Sequence, residues 1–492
     1  MTAAENRSRW LALYVLCTGM LMVVLDVTIV NVALPSIKED LGFSQSNLAW
    51  VINAYLIPFG GLLLLAGRIG DLIGSRRVFL GGLVLFTAAS LFCAVSQTQG
   101  MLIGARFLQG IAGALTSAVI LGMIVTMFSE PREQAKAIGV YGFVASAGGS
   151  IGLLAGGFLT EVISWHWIFF INLPVGLATI FLARRLIDDP PGIGLSEGAD
   201  VPGALLLISG LMLAVYTILE VADVGWGAAQ TLILGAIALA LLATFLLRQA
   251  RIANPLMPLR LFRSRNVSGA NAIQALLVAG MFSMFFLGAL YLGQILGYDP
   301  LEVGFAFLPA TLVMGTMSLG FSERLIMHFG PKRTLVAGLV LIGVGLLLFS
   351  RTPVDGNFWT DVLPPMLITG LGIGTSFPSL MTLAMSGATP QDAGLASGLV
   401  NTAAQVGGAI GLAVLATLAT QRTDTLLDEG AAHNAALNSG FHLAYLVGAA
   451  LVGIALVVAV AVLRVQAPAE EGEGAPVEQE ASTAEPAYSE VG

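Results

Sequence analysis

The stretch Pro131–Leu153, PREQAKAIGVYGFVASAGGSIGL, recurs as Pro390–Leu412, PQDAGLASGLVNTAAQVGGAIGL. The two align without a gap at an offset of 259. Nine of 23 positions are identical, among them Gly139/Gly398, Gly148-Gly149/Gly407-Gly408 and Ile151-Gly152-Leu153/Ile410-Gly411-Leu412. A second pair, Arg68–Arg77 and Arg324–Arg333, aligns at an offset of 256. It matches Arg68 with Arg324, Gly74 with Gly330 and Arg77 with Arg333, and Lys332 answers Arg76. Two nearly equal offsets from separate places imply a chain built of two related halves.

The material between and around the repeats is apolar. Hydrophobic residues make up 56% of the 492, charged residues 11%, and the mean hydropathy is +0.87. A soluble domain carries about 25% charged residues, so this surface suits lipid rather than water. A span needs roughly 20 mainly apolar residues. Fourteen are expected, near 10–33, 48–66, 78–97, 101–127, 137–160, 167–183, 202–221, 229–247, 267–293, 303–322, 334–350, 362–386, 394–419 and 441–463. With the N-terminus in the cytoplasm, eighteen basic residues fall in cytoplasmic segments and three (Lys38, Arg351, Arg422) outside, which satisfies the positive-inside rule. All six tryptophans fall at predicted helix ends, as an interfacial belt requires.

Both repeat offsets correspond to eight helices, an even number, so the halves share one orientation. The expected fold is all-α and integral to the membrane, with fourteen helices arranged as 6+2+6. It comprises an N-terminal lobe (1–183), a linker with two inserted helices (184–266), a C-terminal lobe (267–464) and an acidic, disordered tail (465–492). Parallel lobes of this kind are a transporter architecture with the substrate site near the midplane. Both termini are expected on the cytoplasmic side of the cell membrane.

Other functions fit poorly. The net charge of −8 is misleading, because the tail holds seven glutamates and no basic residue. Cys17 and Cys93 both lie in apolar runs, so neither a disulfide framework nor a cysteine metal site is indicated. The apolar run after Arg7 and Arg9 continues past residue 30 and lacks a small-x-small cleavage site, so it reads as a first membrane helix. No lysine follows a glycine, which removes the phosphate-binding loop of an ATP-driven pump. Gly148-Gly149-Ser150-Ile151-Gly152 matches a hydrolase elbow in letters, but that elbow needs a strand-to-helix turn. The four histidines show no metal-ligand spacing, and a channel's ring of like charges is missing. The expectation is therefore a monomeric carrier, not an enzyme, working with protons, lipid and a small-molecule substrate. No cofactor, metal, ATP or nucleic acid is expected.

Four motifs refine this. Leu25-Asp26-Val27-Thr28-Ile29-Val30-Asn31-Val32-Ala33-Leu34-Pro35 stands in the first helix. Gly67-Arg68-Ile69-Gly70-Asp71-Leu72-Ile73-Gly74-Ser75-Arg76-Arg77 follows the second, Arg106-Phe107-Leu108-Gln109-Gly110 stands in the fourth, and Trp165-His166-Trp167-Ile168-Phe169-Phe170-Ile171-Asn172-Leu173-Pro174 leads into the sixth. In this order the chain resembles the fourteen-helix drug:proton antiporters of the major facilitator superfamily, of multidrug efflux permease type, over residues 10 to about 463. The resemblance implies proton-coupled export of small lipophilic or cationic compounds; a facilitator or exporter of an endogenous metabolite or lipid with the same fold is the alternative. The chain departs from the family at Leu72, where an arginine usually follows the loop aspartate, at His166, and at Leu153, which replaces the proline of the antiporter motif in helix 5.

Asp26 lies midway along an apolar helix, where insertion scales put a carboxylate at roughly +2.5 to +3.5 kcal/mol. It reads as a proton or cation site facing the central cavity, or else as a carboxylate bonded to Thr28 or Asn31 for packing. Arg106, the only basic residue within a span, either couples to a carboxylate or is satisfied by helix-end carbonyls and water. The resemblance implies a part in proton transfer. Glu220, near the outer end of helix 7, is a further acidic candidate. Gly67, Arg68, Asp71, Gly74, Arg76 and Arg77 form a candidate gating loop, in which the family's aspartate caps a helix end or pairs across the lobes. Gly148, Gly152 and Gly156 line one helix face at a spacing that permits close packing, with Gly157 beside them. Asn31, Asn53, Tyr55, Gln109, Gln274, Asn401 and Gln405 are candidates for the cavity wall.

Overall fold

The computed structural model describes residues 3–128, 130–188, 192, 194, 198–252, 255–386 and 393–464. The acidic tail and the start of the second repeat, Pro390–Asp392, lie outside the described residues. Among the described residues all regular structure is helical. In chain order the main helices are α1 Ala3–Leu41, α2 Trp50–Ile73, α3 Ser75–Ala94, α4 Gln99–Met127, α5 Pro131–Val162, α6 Trp167–Leu186 and α7 Val201–Val224. They continue as α8 Ala229–Gln249, α9 Arg265–Ile295, α10 Pro300–Thr316, α11 Pro331–Phe349, α12 Phe358–Met385, α13 Ala393–Asp428 and α14 His433–Ala461. Twelve helices among the described residues are long and apolar enough to cross a membrane; Ile151–Val162 in α5 and Pro300–Thr316 are shorter apolar stretches.

Local chemistry sets many of the ends. Thr98 caps α4 by accepting from Met101 N, and Ser264 caps α9 through Val267 N. Asp299 and Glu302 form a reciprocal capping box at α10, where Pro300 occupies the first turn. The run expected at 303–322 is divided, because α10 passes at Met317–Phe321 into a π segment before continuing as Ser322–Phe329. Further π segments interrupt α9 at Ser283–Leu287 and Tyr291–Ile295. Such wider turns break the regular hydrogen-bond ladder and concentrate at functional positions.

Helices α1–α6 pack among themselves, as do α9–α14, and the two groups meet where α5 lies on α10 and α2 on α13. α7 packs against both α2 and α13, while α8 leans on α7. The duplicated sequence adopts duplicated geometry. Gly74 and Gly330 both take left-handed backbone (φ 103° and 83°) at the turns into α3 and α11. Arg76 donates to the Arg184 carbonyl at the end of α6, and its counterpart Lys332 donates to the Val460 and Leu463 carbonyls at the end of α14. Gly148 and Gly152 sit against Leu21, Val24 and Thr28 of α1, as Gly407 and Gly411 sit against Ala275 and Ala279 of α9.

Candidate functional site

Two features meet at α1. One is a cavity of about 1170 Å³ between α1, α2, α4, α5 and α13, at the end of the molecule where the arginine-rich loops lie. α1 presents Val23, Val24 and Val27 to it, and α13 presents Asn401 and Gln405. Arg68, Asp71, Asp200 and Arg260 border it at that end. Toward the other end the two halves close on each other. A Cβ on Gly157 of α5 would lie 2.6 Å from the Pro300 carbonyl, one on Gly304 would lie 2.6 Å from the Leu153 carbonyl, and one on Gly293 would meet the Pro35 ring at 3.0 Å. Lys38 reaches Gln294 at 3.5 Å across the same seam. Leu153, which stands in place of the family's proline, is thus a buried part of the α5–α10 contact.

The second feature is a polar cluster inside the first group of helices. Asp26 and Arg106 form an ion pair in which both side chains are almost fully buried. Arg106 also donates to the Val51 carbonyl (2.9 Å) and Gln109 Oε1 (2.9 Å), and its guanidinium lies 4.5 Å from the Tyr55 ring centre. The Gln109 amide donates to Asp26 Oδ1 (2.6 Å) and Ser90 Oγ (2.8 Å). Asn172 of α6 donates to the same two acceptors at 3.4 and 3.3 Å, and the Cys93 thiol donates to Gln109 Oε1 at 3.3 Å. A carboxylate buried this deeply is tolerated only when its acceptors are filled, and here one guanidinium and two amides fill them. The cluster is reachable because Gly110 has no side chain. A Cβ there would lie 2.3 Å from the Tyr55 carbonyl, so α2 and α4 approach closely enough for Arg106 to span the gap to Val51.

The structure therefore places Asp26 and Arg106 together but corrects the expected setting. Asp26 is turned away from the cavity and is 0% exposed; its neighbours Val24 and Val27 are the residues that line the wall. Thr28 and Asn31 do not bond to it either, because each caps a carbonyl of its own helix, at Val24 and Leu25 or at Val27. Of the seven wall candidates, Asn401 and Gln405 border the cavity. Asn31, Asn53, Tyr55, Gln109 and Gln274 are buried and are not among the residues that line it.

Glu220 stands apart, on the stretch of α7 whose Ile218 and Val221 carbonyls accept from Thr417 and Gln421 of α13. At the loop motif, Arg68 Nε points to the Gly198 carbonyl (3.4 Å). Gly67 and Asp71 border the cavity, and Arg77 is exposed. Among the described residues no hydrogen bond joins Asp71 to the other half; its charged neighbour is Arg68, three residues back on the same helix face. Ser90, Cys93 and Asn172 also belong to the cluster around Asp26, outside the sequence candidates for a site. Asn172 at least stands inside one of the recognised motifs, whereas nothing local marks the serine or the cysteine.

A third group anchors α7 and α8 at the cavity border. Asp200, the N-cap of α7, accepts from Arg248 Nε (2.7 Å), Gln249 Nε2 (2.7 Å) and Gly203 N (3.0 Å). Burial pushes its carboxyl up, but these bonds and the Arg248 charge outweigh that and hold it below the usual 3.8. Gln249 Oε1 in turn accepts from Met257 N (3.1 Å), which ties down the segment leading to α9.

Residues 16–412 match the Major Facilitator Superfamily. The puromycin resistance protein of Streptomyces alboniger is 39% identical over 456 residues, covering 92% of this chain and 90% of that one. The cephamycin export protein of Amycolatopsis lactamdurans is 36% identical over 461 residues, covering 93% and 92%. Among solved structures, a bacterial homologue of the human lysosomal transporter Spinster, inward-facing and unoccupied, superposes with a TM-score of 0.64 at 15% identity over 92% of this chain and 96% of that one. Twelve long apolar helices among the described residues, the repeated packing and these matches agree: the chain is a multi-pass membrane transporter of the major facilitator superfamily.

Proposed function

We propose that the chain exports small lipophilic molecules from the cell in exchange for protons, as a monomer with both termini cytoplasmic. In this reading α1–α6 and α9–α14 are the two lobes, α7 and α8 are the inserted pair, and fourteen helices cross the membrane as 6+2+6. The relatives named for puromycin resistance and cephamycin export support antibiotics as the kind of cargo.

The observation that carries the reading is the buried Asp26–Arg106 pair behind the cavity wall. α1 bears the carboxylate on one face and the cavity-lining Val23, Val24 and Val27 on another. A proton placed on Asp26 cancels the charge that holds Arg106, so the guanidinium is left to Val51 and Gln109. The clamp between α1, α4 and α6 is then weakened on the helix that also touches substrate. Restoring the carboxylate re-forms it. Proton occupancy and the arrangement of the cavity wall are thereby linked through one helix, as exchange transport requires. Arg68, Asp71, Arg76 and Arg77 act at the cytoplasmic border, where the loop turns at Gly74.

Inside-out vesicles with an imposed pH gradient test this. Uptake of a panel of charged and uncharged lipophilic fluorophores is expected to depend on the gradient and to lose that dependence in Asp26→Asn. Gradient-dependent uptake that survives the substitution would remove Asp26 from the coupling step.

A further inference from the structure

The acidic candidates read from the sequence, Asp26 and Glu220, both lie off the cavity wall. Asp26 is shut away from the cavity and neutralised by Arg106. Glu220 is not among the lining residues. Of the two carboxylates that do border the cavity, Asp200 is engaged by Arg248, and Asp71 stands beside Arg68. Arg68 and Arg260 also line it, so the bordering charges sum to two positive and two negative, all at the loop end.

Deeper in, the wall is uncharged. α1 offers a valine stripe and α2 adds Phe59. Among the residues that border it with them is Gln405 of α13. Gln405 has its stem wedged against Gly60, where a Cβ would come within 2.4 Å, and among the described residues its amide makes no hydrogen bond. Ser117 also borders the cavity, but its Oγ is buried and offers the space no hydroxyl. A cation brought into this space loses hydration and meets no counter-charge. An uncharged molecule with a hydrogen-bond acceptor loses little and gains the Gln405 amide donor.

We infer that the cavity selects uncharged, lipophilic molecules bearing a strong hydrogen-bond acceptor, with Gln405 as the residue that sets this preference. The inference rests on the exporter reading above and narrows its substrate class.

The test compares two probes of nearly one shape: triphenylphosphine oxide, uncharged with a strong acceptor oxygen, and methyltriphenylphosphonium, a cation. Each is equilibrated at neutral pH, without any gradient, with liposomes containing the full chain and with empty liposomes. The oxide is expected to bind at least about tenfold more tightly than the phosphonium. The isosteric Gln405→Glu, which places a carboxylate in the low-dielectric wall, is expected to shift the ratio toward the cation by about tenfold or more. Equal or tighter binding of the phosphonium by the wild type, no specific binding of the oxide, or an unchanged ratio in Gln405→Glu would each overturn the inference. Because no gradient is applied, loss of proton coupling leaves this result untouched. Asp26-dependent transport together with a preference for the phosphonium would defeat the inference alone.

Discussion

Arg106→Met should be among the most damaging single substitutions in the molecule. It deletes the donors to Val51 O, Gln109 Oε1 and Asp26, and it leaves a fully buried carboxylate with only the Gln109 and Asn172 amides. Breaking a buried pair by removing one partner costs about 3–5 kcal/mol. Asp26→Asn should cost less, since the new amide still accepts from Gln109 or Asn172 while Arg106 keeps Val51 and Gln109. The double substitution leaves no orphaned charge. Its cost should therefore fall well below the sum of the two, with a coupling energy on the order of 2–3 kcal/mol. Unfolding of the purified full chain in mixed micelles, followed by tryptophan fluorescence, gives the three differences. Additivity within about 0.5 kcal/mol would mean that the two residues do not act as a pair, and the proposed clamp would fail with it.

The α5–α10 seam offers a second check. Gly157→Val drives a side chain into the Pro300–Leu301 backbone, with a Cβ 2.6 Å from the Pro300 carbonyl and 2.8 Å from Leu301 Cα, and should cost about 1–3 kcal/mol. Gly149→Ala, where nothing lies within 4 Å of the new Cβ, should leave the melting temperature unchanged. The Asp200 anchor predicts a pH dependence. Its carboxyl is held below 3.8, so its contribution is present above the unfolded value of about 3.9 and is lost as pH falls through the folded value. Asp200→Asn should therefore unfold more easily than wild type at pH 7, and the gap should close in acid below about pH 4. A gap that stays constant across that range would show that the ion pair with Arg248 contributes nothing.

Much of this architecture follows from the chain read in order. Long apolar runs make helices, because a span must satisfy its own backbone hydrogen bonds. The repeats at Pro131/Pro390 and Arg68/Arg324 already contain the paired turns at Gly74 and Gly330 and the matching roles of Arg76 and Lys332. The isolated charges in otherwise apolar helices, Asp26 and Arg106, announce themselves by their cost. All of these are properties of composition and spacing along one segment.

Only the folded molecule decides where each side chain points. Asp26 and Val27 are adjacent in sequence but about 100° apart around the helix, so one is clamped inside the lobe and the other lines the cavity. The partners of Asp26 come from 80, 83 and 146 residues away, and their convergence depends on how α4 and α6 pack against α1. Gln405 and Asn401 reach the cavity for the same kind of reason, because Gly60 and Gly398 let α13 settle against α2. Hydropathy records how deep a residue lies in the membrane. Rotation about the helix axis is fixed by packing against neighbouring helices, and that information is spread over the whole fold.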